Sequence, residues 1–314
     1  MKVVMINDCA SVGETLLKNM PPSIEKQHIK RTRGLWSKSF GLTHQILKAD
    51  GDVYHVHYLL QDCYITSRLG KKPLIGHAHG TDLRVDLKHR LWGRIVRHNL
   101  KNCSRILVST PDILDRAQSV RNDAEYLPNP ADRELFYPRT VRPNEGKTRV
   151  LIASDCNWSV KGTDIAIKAL SKIKAVEVSV INQGPDFQKT LNLASSLGLH
   201  LNILPRLPHT QINQYYWNAD LVIDRFALGS LGMVSLEAIA CGRPVLVYVS
   251  SDYSENQDFP LKDLKDIEEI VYTIKNLSPK LWKDEYSFLN KHHNTDAIKS
   301  KLFSIYQELT SEKA

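Results

Sequence analysis

Residues 229–245, GSLGMVSLEAIACGRPV, carry one carboxylate, Glu237, after a glycine-rich turn and before the break at Gly242, Arg243 and Pro244. Glycine lets the backbone approach a ligand closely, and the start of a helix offers free N–H groups to an anion. The spacing puts Glu237 one to two helical turns beyond Gly232, Met233 and Val234, with Ser230 in the turn ahead of them. Backbone N–H groups there suit a phosphate, and a carboxylate one turn further on can grip vicinal hydroxyls. Pyrophosphate on the backbone and ribose on an acid is what a nucleotide-sugar site requires.

Two more segments of the second half fit that chemistry. Lys161 and Gly162 follow an expected strand and precede Thr163, which the pattern makes the cap of the next helix. Ligands of open α/β sheets bind outside the carboxyl ends of strands, where an ammonium can neutralise a departing pyrophosphate. Alone, Lys161 would read as a surface lysine beside a turn glycine. Residues 205–209, PRLPH, also follow a strand, so Arg206 and Leu207 are placed to hold a base through backbone contacts. By themselves they make only a proline-bounded loop.

In the first half, residues 76–84, GHAHGTDLR, close a strand with His77, His79 and Asp82 near its carboxyl end. A polar cluster facing substrate is the expectation; metal ligation is disfavoured because no third ligand is specified. His55 and His57 end another strand and read as satisfied structural histidines. Residues 7–13, NDCASVG, make a small-residue loop ending at Gly13, without a full dinucleotide fingerprint. Asp50 and Asp52 flank a glycine like a metal-binding carboxylate pair, but they precede a strand, where Asp-Gly is ordinary turn chemistry. No metal site and no cofactor are expected.

The elements that position these residues alternate throughout. Strands are expected at 3–6, 53–56, 74–78 and 105–109, then at 150–153, 176–181, 201–204, 221–223 and 245–249. Helices are expected at 86–101, 163–173, 187–197, 211–217, 264–277 and 295–310. Three prolines between 126 and 138 interrupt the series, and a polar run continues to 147, so this stretch reads as a linker. The fold class is α/β, with two Rossmann-like doubly wound domains facing a cleft. The expected bounds are 1–138 for the first domain, 139–290 for the second, and 291–314 for a C-terminal helix packing back on the first.

Composition narrows the partners. Residues 1–140 hold 22 Lys and Arg against 14 Asp and Glu, and the rest hold 20 against 20, so the net charge of +8 belongs to the first half. Lys88, Arg90, Arg94, Arg97 and Lys101 stripe one side of the expected helix 86–101, with Leu87, Leu91, Ile95 and Leu100 on the other. Such a stripe suits an anionic membrane surface, and it equally suits the wet side of a sheet-covering helix. Nucleic-acid binding is disfavoured, because no stacking platform or recognised motif accompanies the charge. The five scattered cysteines have no metal or disulfide spacing, which fits a reducing cytoplasm. No apolar run approaches the ~20 residues of a membrane span.

Taken together, these motifs resemble the GT-B glycosyltransferases, specifically the retaining glycosyltransferase family 4. The likeness runs through His79 and Asp82, the Pro128, Asn129, Pro130 linker ending in Phe136 and Pro138, Lys161 and Gly162, and residues 236–245. It implies an acceptor-binding first domain, a donor-binding second domain and metal-independent transfer of a hexose with retention to a glycan, lipid-linked or small-molecule acceptor. It further implies that Lys161 contacts the donor pyrophosphate and Glu237 the ribose. Backbone near Gly232, Met233 and Val234 would hold phosphate, and His79 would face the reaction centre with Asp82 beside it. Two positions depart from the pattern: Gly229 stands where the family commonly has glutamate, and Cys156 where it often has arginine. Asp224, Arg225 or Asp155 are the candidates to compensate. A nucleotide-sugar epimerase of the same fold and a non-catalytic GT-B subunit are the alternatives.

Overall fold

A computed structural model describes residues 1–18, 20–31, 40–140 and 146–311. The chain divides into two compact units, residues 1–130 with 295–314, and residues 131–294. The polar run to 147 falls partly on 141–145, and the expected C-terminal segment ends on 312–314; both stretches lie outside the described residues.

The first unit is built on β1 (Lys2–Ile6), β2 (Glu25–Ile29), β3 (Val53–His57), β4 (Leu74–Ala78), β5 (Arg105–Val108) and β6 (Glu125–Tyr126), ordered β2-β1-β3-β4-β5-β6. Every pairing is parallel. A parallel sheet is covered on both faces, which explains why β3 and β4 are buried along their whole length. Tyr54, Val56, Leu74 and Ala78 enter one hydrophobic core, with Ile106 and Val108 beside them. Side chains alternate along a strand, so His55 and His57 point the other way. The register pairs His57 with His77, which puts the β4 histidine on that same face.

The second unit is built on β7 (Thr148–Ile152), β8 (Val176–Ile181), β9 (Leu201–Leu204), β10 (Leu221–Ile223) and β11 (Val245–Leu246), ordered β11-β10-β7-β8-β9 and again all parallel. Leu151 and Val222 enter one core, while Val150, Ile152, Leu221 and Ile223 enter a second. The sheet is therefore sandwiched between two apolar layers, the doubly wound arrangement. Ala131 and Phe136, from the proline-bounded stretch, are buried in the first of these cores.

Several elements differ from expectation. The helix expected over 86–101 is broken into a 3-10 turn at Asp86–Lys88 and a helix at Trp92–Asn102. Gly93 packs so tightly on the Leu87 carbonyl that a Cβ would stand 2.5 Å from it. Val96, Asn99 and Leu100 form the buried side, and Leu91 is exposed. The strand expected over 245–249 pairs only at Val245–Leu246. β2 escaped notice because it is polar and half exposed, with no apolar alternation to read. The helix Leu281–His292 was also missed; its buried face includes a glutamate, Glu285, whose carboxylate accepts from the Val245 N–H at 3.0 Å.

Candidate functional site

In the second unit the chain runs outward from β7 to β9, then returns to place β10 on the other flank of β7. Loops leaving the carboxyl ends of β7 and β10 therefore diverge, which opens a crevice at the point where strand order reverses. Lys161 lies after β7, and Asp224 and Arg225 directly follow β10. Lys161 ends a one-turn helix, Trp158–Lys161, whose cap is Asn157 accepting from the Val160 N–H at 3.1 Å. Gly162 then adopts φ 64°, a left-handed turn that ends this helix and caps Thr163–Leu170. Thr163 is therefore not the cap expected from the sequence: it is already in the first turn, and its hydroxyl is buried with no hydrogen-bond partner among the described residues.

Three charges converge at this crevice. Lys161 Nζ lies 3.5 Å from Asp224 Oδ1, and Arg225 Nε lies 3.4 Å from Asp224 Oδ2. Ser235 Oγ donates to Asp224 Oδ2 at 2.8 Å. Burial is the largest influence on Asp224 and would raise its carboxyl. Arg225, Lys161 and the Ser235 hydroxyl together outweigh burial and hold the group at about 2. Burial lowers the Lys161 ammonium below its ordinary value, with Asp224 opposing. Two cations against one carboxylate leave a positive excess, a setting suited to an anionic ligand.

The helix Met233–Ala240 begins beside this cluster. Its first N–H groups, at Met233 and Val234, have no intrahelical acceptor. Gly232 is required by close approach: a Cβ there would fall 1.8 Å from Arg225 Nη2 and 2.5 Å from Asp224 Oδ2. The Ser230 hydroxyl is fully buried and has no partner among the described residues. Glu237, 3% exposed, is held at both oxygens: His209 Nε2 stands 2.7 Å from Oε1, and the Tyr216 hydroxyl donates to Oε2 at 2.9 Å. Sequence reasoning did not identify His209 and Tyr216 as partners of the candidate ligand Glu237. His209 closes the PRLPH segment, and only its nearness to an expected ligand loop could have flagged it. Arg206 is exposed and Leu207 half-buried in that same segment.

The two departures from the family pattern have physical explanations. At Gly229 a Cβ would stand 2.7 Å from Ser250 Cβ and 3.3 Å from both Ser250 N and Tyr248 Cε1. The Gly229 carbonyl accepts from Ser250 N at 2.9 Å and Asn256 Nδ2 at 3.1 Å, so the space a longer side chain needs is filled. Cys156 is buried in the core that contains Ile152 and Phe226, and burial pushes its thiol up to about 11. An arginine at 156 would need a different exit from the core. Arg225 is the second cation that the structure places with Lys161, whereas Asp155 is exposed. Arg243 is structural: it is 2% exposed and its guanidinium donates to the carbonyls of Tyr216, Gly242, Arg139 and Trp217.

In the first unit, strand order reverses between β1 and β3, and a second set of polar residues gathers at their carboxyl ends. His57 Nδ1 lies 2.7 Å from His79 Nε2. His55 Nε2 lies 3.2 Å from His77 Nδ1, and His55 Nδ1 lies 2.7 Å from the Tyr306 hydroxyl of the helix Thr295–Ser311. Burial, the leading cause, drives all four imidazoles below their ordinary value, His55 to about 3. Burial thus favours the neutral form of each ring. Ring nitrogens of His55, His57 and His77 lie within 4.8 Å of one another, close enough to invite a cation. Both nitrogens of His55 are already bonded, however, so a cation would have to break one of those bonds.

Asp82 is fully buried, and its carboxylate accepts from the backbone N–H groups of Leu59, Gly80 and Leu83 at 3.1, 2.9 and 3.2 Å. It ties the loop after β3 to the loop that carries His79. The ring partner of His79 is His57. Gly13 lies in the first turn of the helix Val12–Lys18, where its N–H donates to Asp8 Oδ1 at 2.8 Å. Asn7 and Tyr58, which follow β1 and β3, have φ of 64° and 70°, a strained conformation that proteins concentrate at functional rims. Both line a cavity of about 360 Å³ with Arg31, His57, Asp62 and Thr81.

The family description "Glycosyl transferases group 1" matches residues 136–256, a range that contains Lys161, Asp224, Gly232 and Glu237. An uncharacterised glycosyltransferase of Methanocaldococcus jannaschii is 24% identical over 228 residues, 70% of this chain and 63% of that protein. A D-inositol 3-phosphate glycosyltransferase of Corynebacterium aurimucosum is 28% identical over 237 residues, 63% of this chain and 56% of that protein. The chain thus matches less than two thirds of the length of these curated relatives. Among solved structures, Anabaena HepE in complex with UDP-glucose superposes with a TM-score of 0.77 at 15% identity, covering 98% of this chain and 100% of that one. The fold is of the GT-B kind, and within it residues 136–256 match the glycosyl transferases group 1 description.

Proposed function

We propose that this protein is a glycosyltransferase that moves a hexose from a nucleoside-diphosphate donor to a hydroxyl acceptor, without a metal and with retention at the anomeric carbon. The observation that carries this reading is the meeting of Lys161 and Arg225 on Asp224, in the sequence neighbourhood of the helix start at Met233 and Val234, whose N–H groups have no acceptor within the helix. In this mechanism, charge that develops on the departing diphosphate is met by groups already in place, so little reorganisation is needed as the bond breaks. The acceptor hydroxyl attacks from the face the diphosphate leaves, and no side chain becomes a covalent nucleophile. Glu237, oriented by His209 and Tyr216, has lone pairs remaining for ribose hydroxyls. The backbone at Arg206 and Leu207 holds the base, and Ser230 gives its hydroxyl to the donor. His79 serves the reaction centre on a loop fixed by Asp82.

The relatives support a nucleotide-sugar donor: the HepE structure holds UDP-glucose. The names of the curated relatives favour a small polar acceptor, inositol 3-phosphate in one of them. The testing experiment is thermal denaturation with nucleoside mono- and diphosphates. A ligand that binds only the native state raises its stability by mass action. Stabilisation by a diphosphate, followed by transfer from the matching nucleotide sugar, supports the reading. No response to any nucleoside diphosphate would instead favour a non-catalytic subunit, the alternative that Gly229 and Cys156 leave open.

The same protein is proposed to rest peripherally on an anionic membrane surface. Arg94, Arg97 and Lys101 are exposed along the helix Trp92–Asn102, with Lys88 and Arg90 just before it, and Val85 and Leu91 are exposed at 57% and 60%. Basic side chains flanking exposed apolar ones suit acidic headgroups over an acyl layer. No helix among the described residues is long and apolar enough to cross a membrane.

A further inference from the structure

We propose that the cavity at the carboxyl ends of β1, β2, β3 and β4 binds a neutral, polyhydroxylated ligand, a sugar or a cyclic polyol, and that Asp62 sets this preference by cancelling the charge of Arg31. The inference concerns the first unit alone and needs no contact with the second.

Sheet order places the site. β2, β1, β3 and β4 lie side by side and parallel, so their carboxyl ends share one edge of the sheet. Arg31 follows β2, Asn7 follows β1, Tyr58 follows β3 and Thr81 follows β4, and all four line the cavity of about 360 Å³. That volume is at the small end of ligand sites, which run from about 300 to 1,000 Å³. Tyr58 is held there at φ 70°, a conformation costly for an aromatic residue and of the kind that proteins keep at functional sites.

Charge decides the class of ligand. Arg31 and Asp62 are the charged residues among those that line the cavity. They form a bidentate pair, in which Arg31 Nε donates to Asp62 Oδ2 at 2.8 Å and Nη2 to Oδ1 at 2.5 Å. Asp62 is buried, so water screens the pair little. Burial favours the neutral form of His57 and the protonated phenol of Tyr58. The lining therefore carries no net charge, and an anion would lose its hydration there without an opposite charge to replace it. The helix after β1 offers an anion nothing either. The N–H groups of Gly13 and Glu14 in its first turn already donate to Asp8 Oδ1 and Oδ2, at 2.8 and 3.3 Å.

Hydrogen-bonding capacity selects hydroxyl groups. The Asn7 carboxamide, the Thr81 hydroxyl and Arg31 Nη1 have no hydrogen-bond partner among the described residues. A carboxamide and a hydroxyl each donate and accept, as a sugar hydroxyl does, whereas a phosphate dianion only accepts. Tyr58 commits its own hydroxyl to Cys9 Sγ at 2.9 Å. With Leu60 it adds apolar surface, which suits the C–H face of a sugar ring.

The backbone amide signals of Tyr58 and Thr81 in the whole protein read the test, so that phosphate held elsewhere is not counted. The probes are myo-inositol, D-glucose and N-acetyl-D-glucosamine, each beside its monophosphate. Neutral probes are expected to shift these signals at concentrations about tenfold or more below those their monophosphates require. Asp62→Asn frees the Arg31 charge with little change of shape and should reverse that order, the monophosphates gaining about tenfold. Thr81→Val, at an exposed residue, should weaken the neutral probes about threefold or more and leave the melting temperature in place. Signals that no neutral probe moves, a wild-type protein that prefers the monophosphates, or a folded Asp62→Asn with the wild-type order would each overturn the proposal. The wild-type ranking decides it alone if Asp62→Asn does not fold.

Discussion

Lys161 Nζ and Asp224 Oδ1 lie 3.5 Å apart and join the ends of two strands, β7 and β10, that pair directly in the sheet. Asp224 also neighbours Arg225 and accepts from Ser235, so one buried carboxylate gathers two cations and the helix that carries Glu237. In the proposed reading it holds like charges together until an anion arrives.

Replacing Lys161 by alanine should lower turnover by about a hundredfold or more, comparable to losing one preorganised donor at a developing oxyanion. Steady-state transfer and a thermal melt on the same preparation check this. Near-normal turnover in a folded variant would sink the role given to Lys161.

Asp224→Asn tests the clamp through stability. The native carboxyl is held at about 2 against an ordinary 3.8, so the unfolded chain binds a proton at a higher pH than the folded chain does. The stabilisation is present above about pH 4, fades as pH falls toward 2, and is of order 2 kcal/mol. Urea midpoints should show Asp224→Asn weaker than wild type at pH 7 and the gap closing between pH 4 and pH 2. A gap that stays constant across that range would contradict the charge pairing.

Gly232→Ala should weaken diphosphate binding, because its Cβ would take the place of Arg225 Nη2. The same Cβ would stand 2.5 Å from the buried Asp224 Oδ2, so the melting temperature should fall as well, while affinity drops by about tenfold, or about 1.4 kcal/mol. Calorimetric titration with a nucleoside diphosphate reads the difference. Gly229→Glu should lower stability by about 1–3 kcal/mol through overpacking against Ser250, without improving donor binding.

Arg243→Leu leaves the carbonyls of Tyr216, Arg139 and Trp217 without their buried donor. A loss of about 3 kcal/mol or more is expected. Chemical denaturation measures it; a loss below ~1 kcal/mol would show that these carbonyls find other donors.

Charge reversal at Arg94 and Arg97 together should release the protein from vesicles rich in acidic lipid, and added salt should do the same to wild type. Sedimentation with vesicles checks both. Wild-type binding that ignores salt would contradict an electrostatic contact.

Much of the fold was legible in the chain. Residues 176–181, 201–204 and 221–223 are apolar enough in their spacing to define strands whose observed ends are the expected ones. The glycine turn of 229–232 likewise announced a helix, and one begins at Met233. Elements with polar or mixed faces were not legible. β2 pairs through its backbone and shows no apolar period, and Leu281–His292 buries a glutamate where a hydrophobic side chain would have signalled a face. The break between Lys88 and Trp92 accompanies a close contact of Gly93 with the Leu87 carbonyl that no residue-by-residue propensity contains.

The sequence alone determined which residue types were at hand: a lysine after one strand, a carboxylate one turn into a helix, histidines two apart at the ends of two strands. Periodicity and turn chemistry are local, so they can be read locally. Only the tertiary structure decided which of these residues meet. Strand order brought Asp224 beside Lys161; strand register set His57 beside His77, and the loop after β4 brought His79 to the His57 ring. Folding placed His209 and Tyr216 on the two oxygens of Glu237. Those meetings follow from crossover connections and packing between segments far apart in the chain, and spacing along a sequence carries no record of distance across a sheet.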